Sequence, residues 1–219
     1  MKRRARIIAL TCVLAFLTGC TEEVVDEETQ PTAPTSEKAP DVFNVLFETT
    51  KGDVIIEVDR KWAFKGADRF FNLVKTGFLN DTTFFRVVKG FVVQFGLSGK
   101  PEVNAQWKDK TLFDDKPSGH SNLRGTVTFA LSGPDTRTTQ IFFNLGDNSR
   151  LDSMGGFTPF GKVMKGMDVV DALYGGYGDM PSQGGKGPDS SKIESQGDAY
   201  LKKSFSKLDR ITRASVIED

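Results

Sequence analysis

Residues 84–96, FFRVVKGFVVQFG, constrain the fold of this chain more than any other stretch. Two apolar runs suited to buried β-strands flank Lys89-Gly90, a pair typical of a turn. Arg86 and Gln94 lie within these runs, and a purely structural strand has little use for either. Their even spacing would put both on one face of a straight strand, whereas a turn at Lys89-Gly90 would bend the segment. The sequence alone leaves this register open.

The size and charge of the chain favour one globular domain. Its 219 residues are 38% hydrophobic and 26% charged, which is enough for a single hydrophobic core. The formal net charge is +0 at pH 7, so the sequence does not predict a strongly basic face. We therefore expect no nucleic-acid partner, because phosphates require such a face. A monomer is the simplest expectation for the oligomeric state.

The N-terminus is similar to the signal sequence of a bacterial lipoprotein. Residues 2–6 are basic, residues 7–17 are apolar, and Leu17-Thr18-Gly19-Cys20 resembles a lipobox. This resemblance implies that residues 1–19 are a signal peptide and that Cys20 is lipidated. The alternative, an uncleaved anchor, is disfavoured because a membrane-spanning helix needs about 20 apolar residues.

The lipobox resemblance also implies a location. The protein would be anchored by acyl chains such as palmitate in the cell envelope, facing the periplasm. Thr21 stands where an Asp would indicate retention in the inner membrane, so the outer membrane is favoured. Residues 20–41 would then be the lipidated cysteine and a disordered tether, because they are acidic, rich in Thr and Pro, and poor in apolar residues. A folded domain is expected over residues 42–219.

The folded domain has few groups suited to covalent or metal chemistry. Cys12 lies in the predicted signal peptide and Cys20 is the predicted lipidation site, so neither is available as a nucleophile or for a disulfide. The single histidine, His120, lies in a polar loop and cannot form a zinc cluster alone. We expect neither a metal nor a cofactor.

The remaining pattern predicts many short strands and two helices. Apolar residues at i, i+3, i+4 and i+7 from Ala67 to Val74 predict one helix, and residues 167–173 predict a second, shorter one. Residues 97–122 and 177–196 are rich in turn residues and predict irregular loops, and residues 198–204 suggest one more short helix. Alternating or apolar runs predict strands at residues 43–47, 54–58, 84–96, 125–131, 141–145, 157–163 and 211–217. Such a pattern is typical of an antiparallel barrel.

Four blocks in a fixed order resemble a known family. They are FFRVVKGFVVQFG, GTVTFALSGPDTRTTQIFF, NSRLDSMGGFTPFGKV and KGMDVVDALYGG. Together they resemble the cyclophilin-type peptidyl-prolyl cis-trans isomerases over residues 45–174, and residues 185–211 resemble the extended C-terminus of a bacterial subgroup. The resemblance implies a mainly β fold: a closed eight-stranded antiparallel β-barrel capped by two α-helices.

The same resemblance implies the roles of individual residues. Arg86 would be the catalytic hydrogen-bond donor, and Gln94 would hold the substrate carbonyl or orient Arg86. Substrate-binding residues would be Phe91, Val92, Ala130, Gln140, Phe142, Leu151 and Phe157, of which Phe157 stands where the family has a pocket histidine. Taken singly, each residue also has a structural interpretation, such as core packing for the aromatic side chains or a surface ion pair for Arg86.

Two further positions depart from the family pattern. Leu131 replaces an Asn beside the peptide groove, which removes a side-chain contact with the substrate. Arg150 stands where many eukaryotic members have a Trp that contacts cyclosporin, so weak cyclosporin binding is expected.

The expected activity is therefore cis–trans isomerisation of X-Pro bonds in exported proteins. Partners would be proline-containing polypeptides, and the membrane would be reached through the lipid on Cys20. The alternative is a catalytically weak protein that binds proline-containing segments as a chaperone or assembly factor.

Overall fold

The computed structural model describes residues 33–217. The predicted signal peptide, Cys20 and most of the predicted tether lie outside these residues. The described strands are β1 (Val42–Thr49), β2 (Gly52–Asp59), β3 (Arg86–Val88), β4 (Val92–Phe95), β5 (Thr126–Phe129), β6 (Ile141–Asn144), β7 (Pro159–Lys165) and β8 (Ile211–Ile217). The described α-helices are α1 (Phe64–Lys75), α2 (Pro101–Trp107), α3 (Met167–Asp171) and α4 (Ser190–Ser204), and short 3₁₀ turns span Ser149–Met154 and Pro181–Gln183. None of the helices in residues 33–217 is long and apolar enough to cross a bilayer.

The strands form one curled antiparallel sheet in the order β3-β4-β6-β5-β7-β2-β1-β8. Eight antiparallel strands were expected and are present, but the described residues do not show the barrel closed. The edge strands β3 and β8 are not paired with each other. Within the described residues, a single bridge between Thr83 and Arg210 joins the segments that precede these edges. The sheet is therefore a half-barrel.

The hydrophobic core lies between the concave face of this sheet and helix α1. The β1–β2 hairpin pairs Phe47 with Val54 and turns at Thr50-Lys51, as the alternation predicted. Phe47 and Phe70 of α1 are fully buried, and burial of such a side chain contributes about 1.5–3 kcal/mol. The rings of Phe47, Phe95 and Phe143 lie within 5.1–6.3 Å of one another and join the two halves of the sheet.

The segment predicted as loop over residues 97–122 contains helix α2. Pro101 occupies its first turn, where the missing N–H costs nothing. Trp107 packs edge-on against Phe78, with ring centroids 5.6 Å apart, and only 2% of its surface is exposed. Phe113 is 72% exposed, and the Lys65 ammonium lies 5.6 Å from the centre of its ring. Packing of Trp107 thus stabilises a helix too short to form alone.

The C-terminal segment is also more helical than expected. Helix α4 is broken at Gly197, whose φ of 54° and ψ of −137° are not helical, so the helix predicted over residues 198–204 is present as its second half. Its first half, from Ser190, lies in the segment predicted as a loop, and Asp189 caps it by accepting a hydrogen bond from the Ser191 N–H at 2.9 Å. Phe85, Leu97, Ile193 and Leu201 form a second hydrophobic cluster, with Met180, Tyr200, Phe205 and Leu208 packed against it. This second cluster holds the C-terminal segment against the chain around the β3–β4 hairpin.

Residues 35–39, within the predicted tether, lie against helix α1. The Glu37 N–H donates to Asn72 Oδ1 at 2.9 Å, and the Ala39 N–H donates to Asp68 Oδ1 at 2.9 Å. Ala39 is 3% exposed. A short run of polar and small residues can dock here because α1 supplies the side-chain acceptors for its backbone.

Candidate active site

The β3–β4 hairpin places Arg86 directly opposite Gln94. Val88 pairs with Val92, so the chain reverses over a three-residue turn centred on Gly90, whose φ of 73° lies in the left-handed region that favours glycine. The two polar side chains therefore face each other across neighbouring strands. The predicted turn at Lys89-Gly90 is confirmed. The register that the sequence left open is an antiparallel hairpin with Arg86 opposite Gln94.

Arg86 belongs to a row of side chains that crosses four strands on the face away from the core. In strand register, Arg86 pairs with Gln94, Gln94 with Phe142, and Phe142 with Thr128. The adjacent row of Val87, Val93, Phe143 and Val127 points into the main core, as strand alternation requires. One face of the strands thus stabilises the fold while the other carries the site.

Hydrogen bonds connect the polar members of this site. Arg86 Nη1 donates to Gln94 Oε1 at 3.0 Å, and Gln94 Nε2 donates to Gln140 Oε1 at 2.9 Å. Gln94 is 4% exposed, so both ends of its amide are satisfied in a buried position. Arg86, Gln94 and Gln140 therefore form a continuous chain of side-chain hydrogen bonds.

An apolar cluster separate from the main core lies beside these polar groups. Its buried members are Val92, Phe142 and Leu151, and Phe91, Ala130 and Phe157 are partly buried against them. The Arg86 guanidinium lies 5.5 Å from the centre of the Phe91 ring, within cation–π range. All the residues predicted at the site, from Arg86 to Phe157, are thus brought together in one region.

A polar network that was not predicted from the sequence holds the backbone of the apolar cluster. Asn148 Nδ2 donates to the Phe91 carbonyl at 2.8 Å, and Asn122 Nδ2 donates to the Phe157 carbonyl at 2.8 Å. Asn144 links these two asparagines: its Nδ2 donates to Asn122 Oδ1 at 3.2 Å, and its Oδ1 accepts from Asn148 Nδ2 at 2.7 Å. Thr128 Oγ1 also donates to Asn122 Oδ1, at 2.8 Å. Polar residues inside otherwise apolar strands were the available signal for Thr128 and Asn144, as they were for Arg86 and Gln94.

Another residue that was not predicted from the sequence contacts Arg86 directly. Asp179, in the segment predicted to be an irregular loop, forms an ion pair with Arg86 in which Nε and Oδ1 are 2.7 Å apart. The side chains are 13% and 27% exposed, respectively. Nothing in the local pattern around Asp179 distinguishes it from other acidic loop residues.

Two other positions singled out in the sequence have clear surroundings. Arg150 is exposed, and its guanidinium lies 5.0 Å from the centre of the Phe91 ring, on the rim of the apolar cluster. His120 stacks on Trp62 with ring centroids 3.7 Å apart and makes no contact with the site. Within residues 33–217, no group of three or more His, Cys, Asp or Glu side chains could hold a metal ion.

Comparison with known proteins agrees with this geometry. The family described as "Cyclophilin type peptidyl-prolyl cis-trans isomerase/CLD" matches residues 44–195. Peptidyl-prolyl cis-trans isomerase A of Dickeya dadantii is 34% identical over 151 residues, which are 64% of this chain and 79% of that protein. A peptidyl-prolyl cis-trans isomerase of Acinetobacter baylyi is 36% identical over 152 residues, again 64% of this chain and 79% of that protein.

A solved structure supports the fold. The crystal structure of a cyclophilin type peptidyl-prolyl cis-trans isomerase from Cryptosporidium parvum aligns with a TM-score of 0.58 and 18% identity, covering 81% of this chain and 99% of that one. The half-barrel and the site thus define a cyclophilin-type enzyme. The chain belongs to the cyclophilin-type peptidyl-prolyl cis-trans isomerase family.

Proposed function

We propose that this isomerase accelerates rotation of X-Pro bonds by electrostatic stabilisation of the twisted amide, with Arg86 as the catalytic donor. Rotation about the bond loses amide resonance and meets a barrier of about 18–20 kcal/mol. The prolyl nitrogen becomes pyramidal as the bond twists, and its lone pair localises there. A donor fixed near that nitrogen binds the twisted state more strongly than the planar one, which is the condition for catalysis.

The contact between Arg86 and Gln94 beside the separate apolar cluster carries this proposal. An apolar pocket of Phe91, Phe142 and Leu151 is suited to a proline ring, which has no donor of its own. Gln94 holds the guanidinium at the edge of that pocket. Rotation transfers no atoms, so the reaction requires no nucleophile.

Measured isomerisation of a short proline peptide tests the proposal. Either a protease-coupled assay or NMR exchange would report kcat/KM for the wild type and for Arg86→Ala. We expect a fall of about 100-fold or more, since loss of one donor to a transition-state charge typically costs that much. The matched control is Arg124→Ala, because Arg124 also pairs with an aspartate, Asp171, but its side chain is 47% exposed and its hydrogen bonds go to Asp171 and to the Leu145 carbonyl, neither of which is a predicted site residue. Equal rates for wild type and Arg86→Ala would overturn the assignment and favour a proline-segment-binding role.

We also propose that the enzyme acts on exported proteins while anchored through lipid on Cys20. The support is the order of basic residues, apolar run and lipobox-like Leu17-Thr18-Gly19-Cys20. The acidic, Thr- and Pro-rich sequence after Cys20 would separate the folded domain from the membrane surface.

A further inference from the structure

Asp179 forms hydrogen bonds along one whole edge of the Arg86 guanidinium. Nε donates to Oδ1 at 2.7 Å and Nη2 donates to Oδ2 at 3.2 Å. This bidentate arrangement fixes the plane of the guanidinium as well as its position. Asp179 is 93 residues away in the sequence, so the contact is a product of the fold.

Asp179 is itself held in place by its own loop. Its Oδ1 also accepts from the Met180 N–H at 2.7 Å, and its carbonyl accepts from the Gly187 N–H at 2.8 Å. A Cβ added at Gly185 would lie 2.0 Å from the Asp179 carbonyl oxygen, a distance that no real side chain tolerates. The glycines of this loop are therefore needed for its close wrapping around Asp179.

The second hydrophobic cluster brings the two charged residues together. Phe85 precedes Arg86 in the chain and is buried in this cluster, and Met180 follows Asp179 and packs against the same cluster. The backbones on both sides of the ion pair are thus tied to one apolar unit. This unit consists largely of C-terminal residues, so the C-terminal segment packs directly against the residue that precedes Arg86.

The remaining donors of Arg86 are the ones available to a substrate. A guanidinium has five N–H groups. Asp179 and Gln94 take three of them, which leaves one on each terminal nitrogen. Asp179 binds the edge of the guanidinium formed by Nε and Nη2. The opposite edge, formed by the terminal nitrogens Nη1 and Nη2, is not covered by the carboxylate.

We propose that Asp179 is a positioning residue for the isomerase reaction, holding the Nε edge of Arg86 so that the terminal N–H groups are aimed at the prolyl nitrogen. This inference rests on the proposed catalytic role of Arg86. It assigns the C-terminal segment a part in catalysis beyond packing.

Kinetics of single and paired variants test the inference. We expect Asp179→Ala to lower kcat/KM by about 10- to 100-fold, as expected when a catalytic group loses its orientation. Asp179→Asn, which keeps one acceptor, should retain more activity. In an Arg86→Lys background, Asp179→Ala should have little further effect, because lysine has no Nε edge to be held. An equal fall in both backgrounds would mean that Asp179 acts through the general fold and would overturn the inference.

A spectroscopic measurement tests the contact without activity. The Arg86 Nε–H resonance in the wild-type protein should be protected from exchange with water, and Asp179→Ala should abolish that protection. Unchanged protection would contradict the assigned ion pair.

Asp189→Ala is the matched control for folding of the same segment. Asp189 caps α4 and contacts neither Arg86 nor Gln94, so its loss should lower the melting temperature with kcat/KM unchanged. If Arg86→Ala is inactive but Asp179→Ala is fully active, only the positioning role fails. If Arg86→Ala is fully active, the proposed function fails first. An increase in activity in Asp179→Ala would show that the carboxylate masks Arg86, and would also overturn the inference.

Discussion

Arg86 and Gln94 pair directly across the β3–β4 hairpin, and Arg86 Nη1 donates to Gln94 Oε1 at 3.0 Å. Two polar side chains that interrupt apolar strands therefore satisfy each other at a buried position. The contact also limits the directions in which the guanidinium can point. A site of this kind depends on orientation, and each of its supports is open to a separate test.

Gln94 is predicted to matter through its acceptor oxygen. Gln94→Ala removes the acceptor for Arg86 and leaves Gln140 without its partner, so we expect kcat/KM for a proline peptide to fall by about tenfold or more. Gln94→Glu retains an acceptor for Arg86 and should lose less. A Gln94→Ala enzyme as active as the wild type would contradict the orienting role.

Phe142 and Phe143 are neighbours in β6 that point to opposite faces and form a matched pair. Both are nearly or fully buried, at 4% and 0% exposed, so either change to alanine should lower the free energy of unfolding by about 3–5 kcal/mol. Only Phe142 lies in the apolar cluster at the site. Its loss should also raise KM for a proline peptide, measured at a temperature where both variants are folded. A similar rise in KM for Phe143→Ala would argue against a specific proline pocket.

Docking of residues 35–39 is predicted to weaken in acid through Asp68. Burial raises the pKa of Asp68, but the hydrogen bonds from Arg60 and from the Ala39 N–H outweigh it, so the pKa lies below its usual value. A depressed pKa stabilises the folded state above the usual carboxyl range, and that stability is lost as the pH falls through the folded pKa. Chemical unfolding from pH 6 downward should show this loss, and Asp68→Asn should flatten it.

Asp171→Asn provides the comparison for this pH effect. The Arg124–Asp171 pair is about half exposed on both sides, and such pairs contribute little. We expect its unfolding profile with pH to follow that of the wild type. A flattened profile in Asp171→Asn but not in Asp68→Asn would show that the acid sensitivity comes from Asp171, and would contradict the prediction for Asp68.

Lipidation is predicted to require Cys20. In a bacterial host that processes lipoproteins, Cys20→Ser should abolish acyl-chain labelling and leave an unprocessed precursor, whereas Cys12→Ser should leave both processing and labelling intact. Mass spectrometry of the N-terminal peptide and membrane fractionation would measure these outcomes. Acyl labelling that persists in Cys20→Ser would contradict the lipobox assignment.

Local sequence pattern was sufficient for the regular elements with a clear periodicity. Alternation predicted the β1–β2 hairpin, and the bounds predicted for the last strand, residues 211–217, are those of β8. Helix α2 was missed because its stability depends on the packing of Trp107, which no periodicity of a seven-residue helix reveals. Closure of the barrel was expected from the family resemblance, and the described residues show only a curled half-barrel with one bridge, Thr83 to Arg210, between its edge segments.

The site was only partly accessible from the sequence for a related reason. Arg86 and Gln94 could be singled out because they conflict with their apolar neighbours. Asp179 conflicts with nothing around it, and its importance comes from a contact with a residue 93 positions earlier. Long-range contacts of this kind depend on how the C-terminal segment docks, and that docking is decided by the second hydrophobic cluster.

The pairing of β1 with β8 determines when the enzyme can become complete. Strand β1 is the first of the sheet to be synthesised, and its outer neighbour is the last, with Val45 paired to Val216. Until residues 211–217 have docked, one edge of β1 is unpaired. A copy in which the C-terminal segment has not docked therefore also lacks the contact of Asp179 with Arg86 and is an incomplete catalyst.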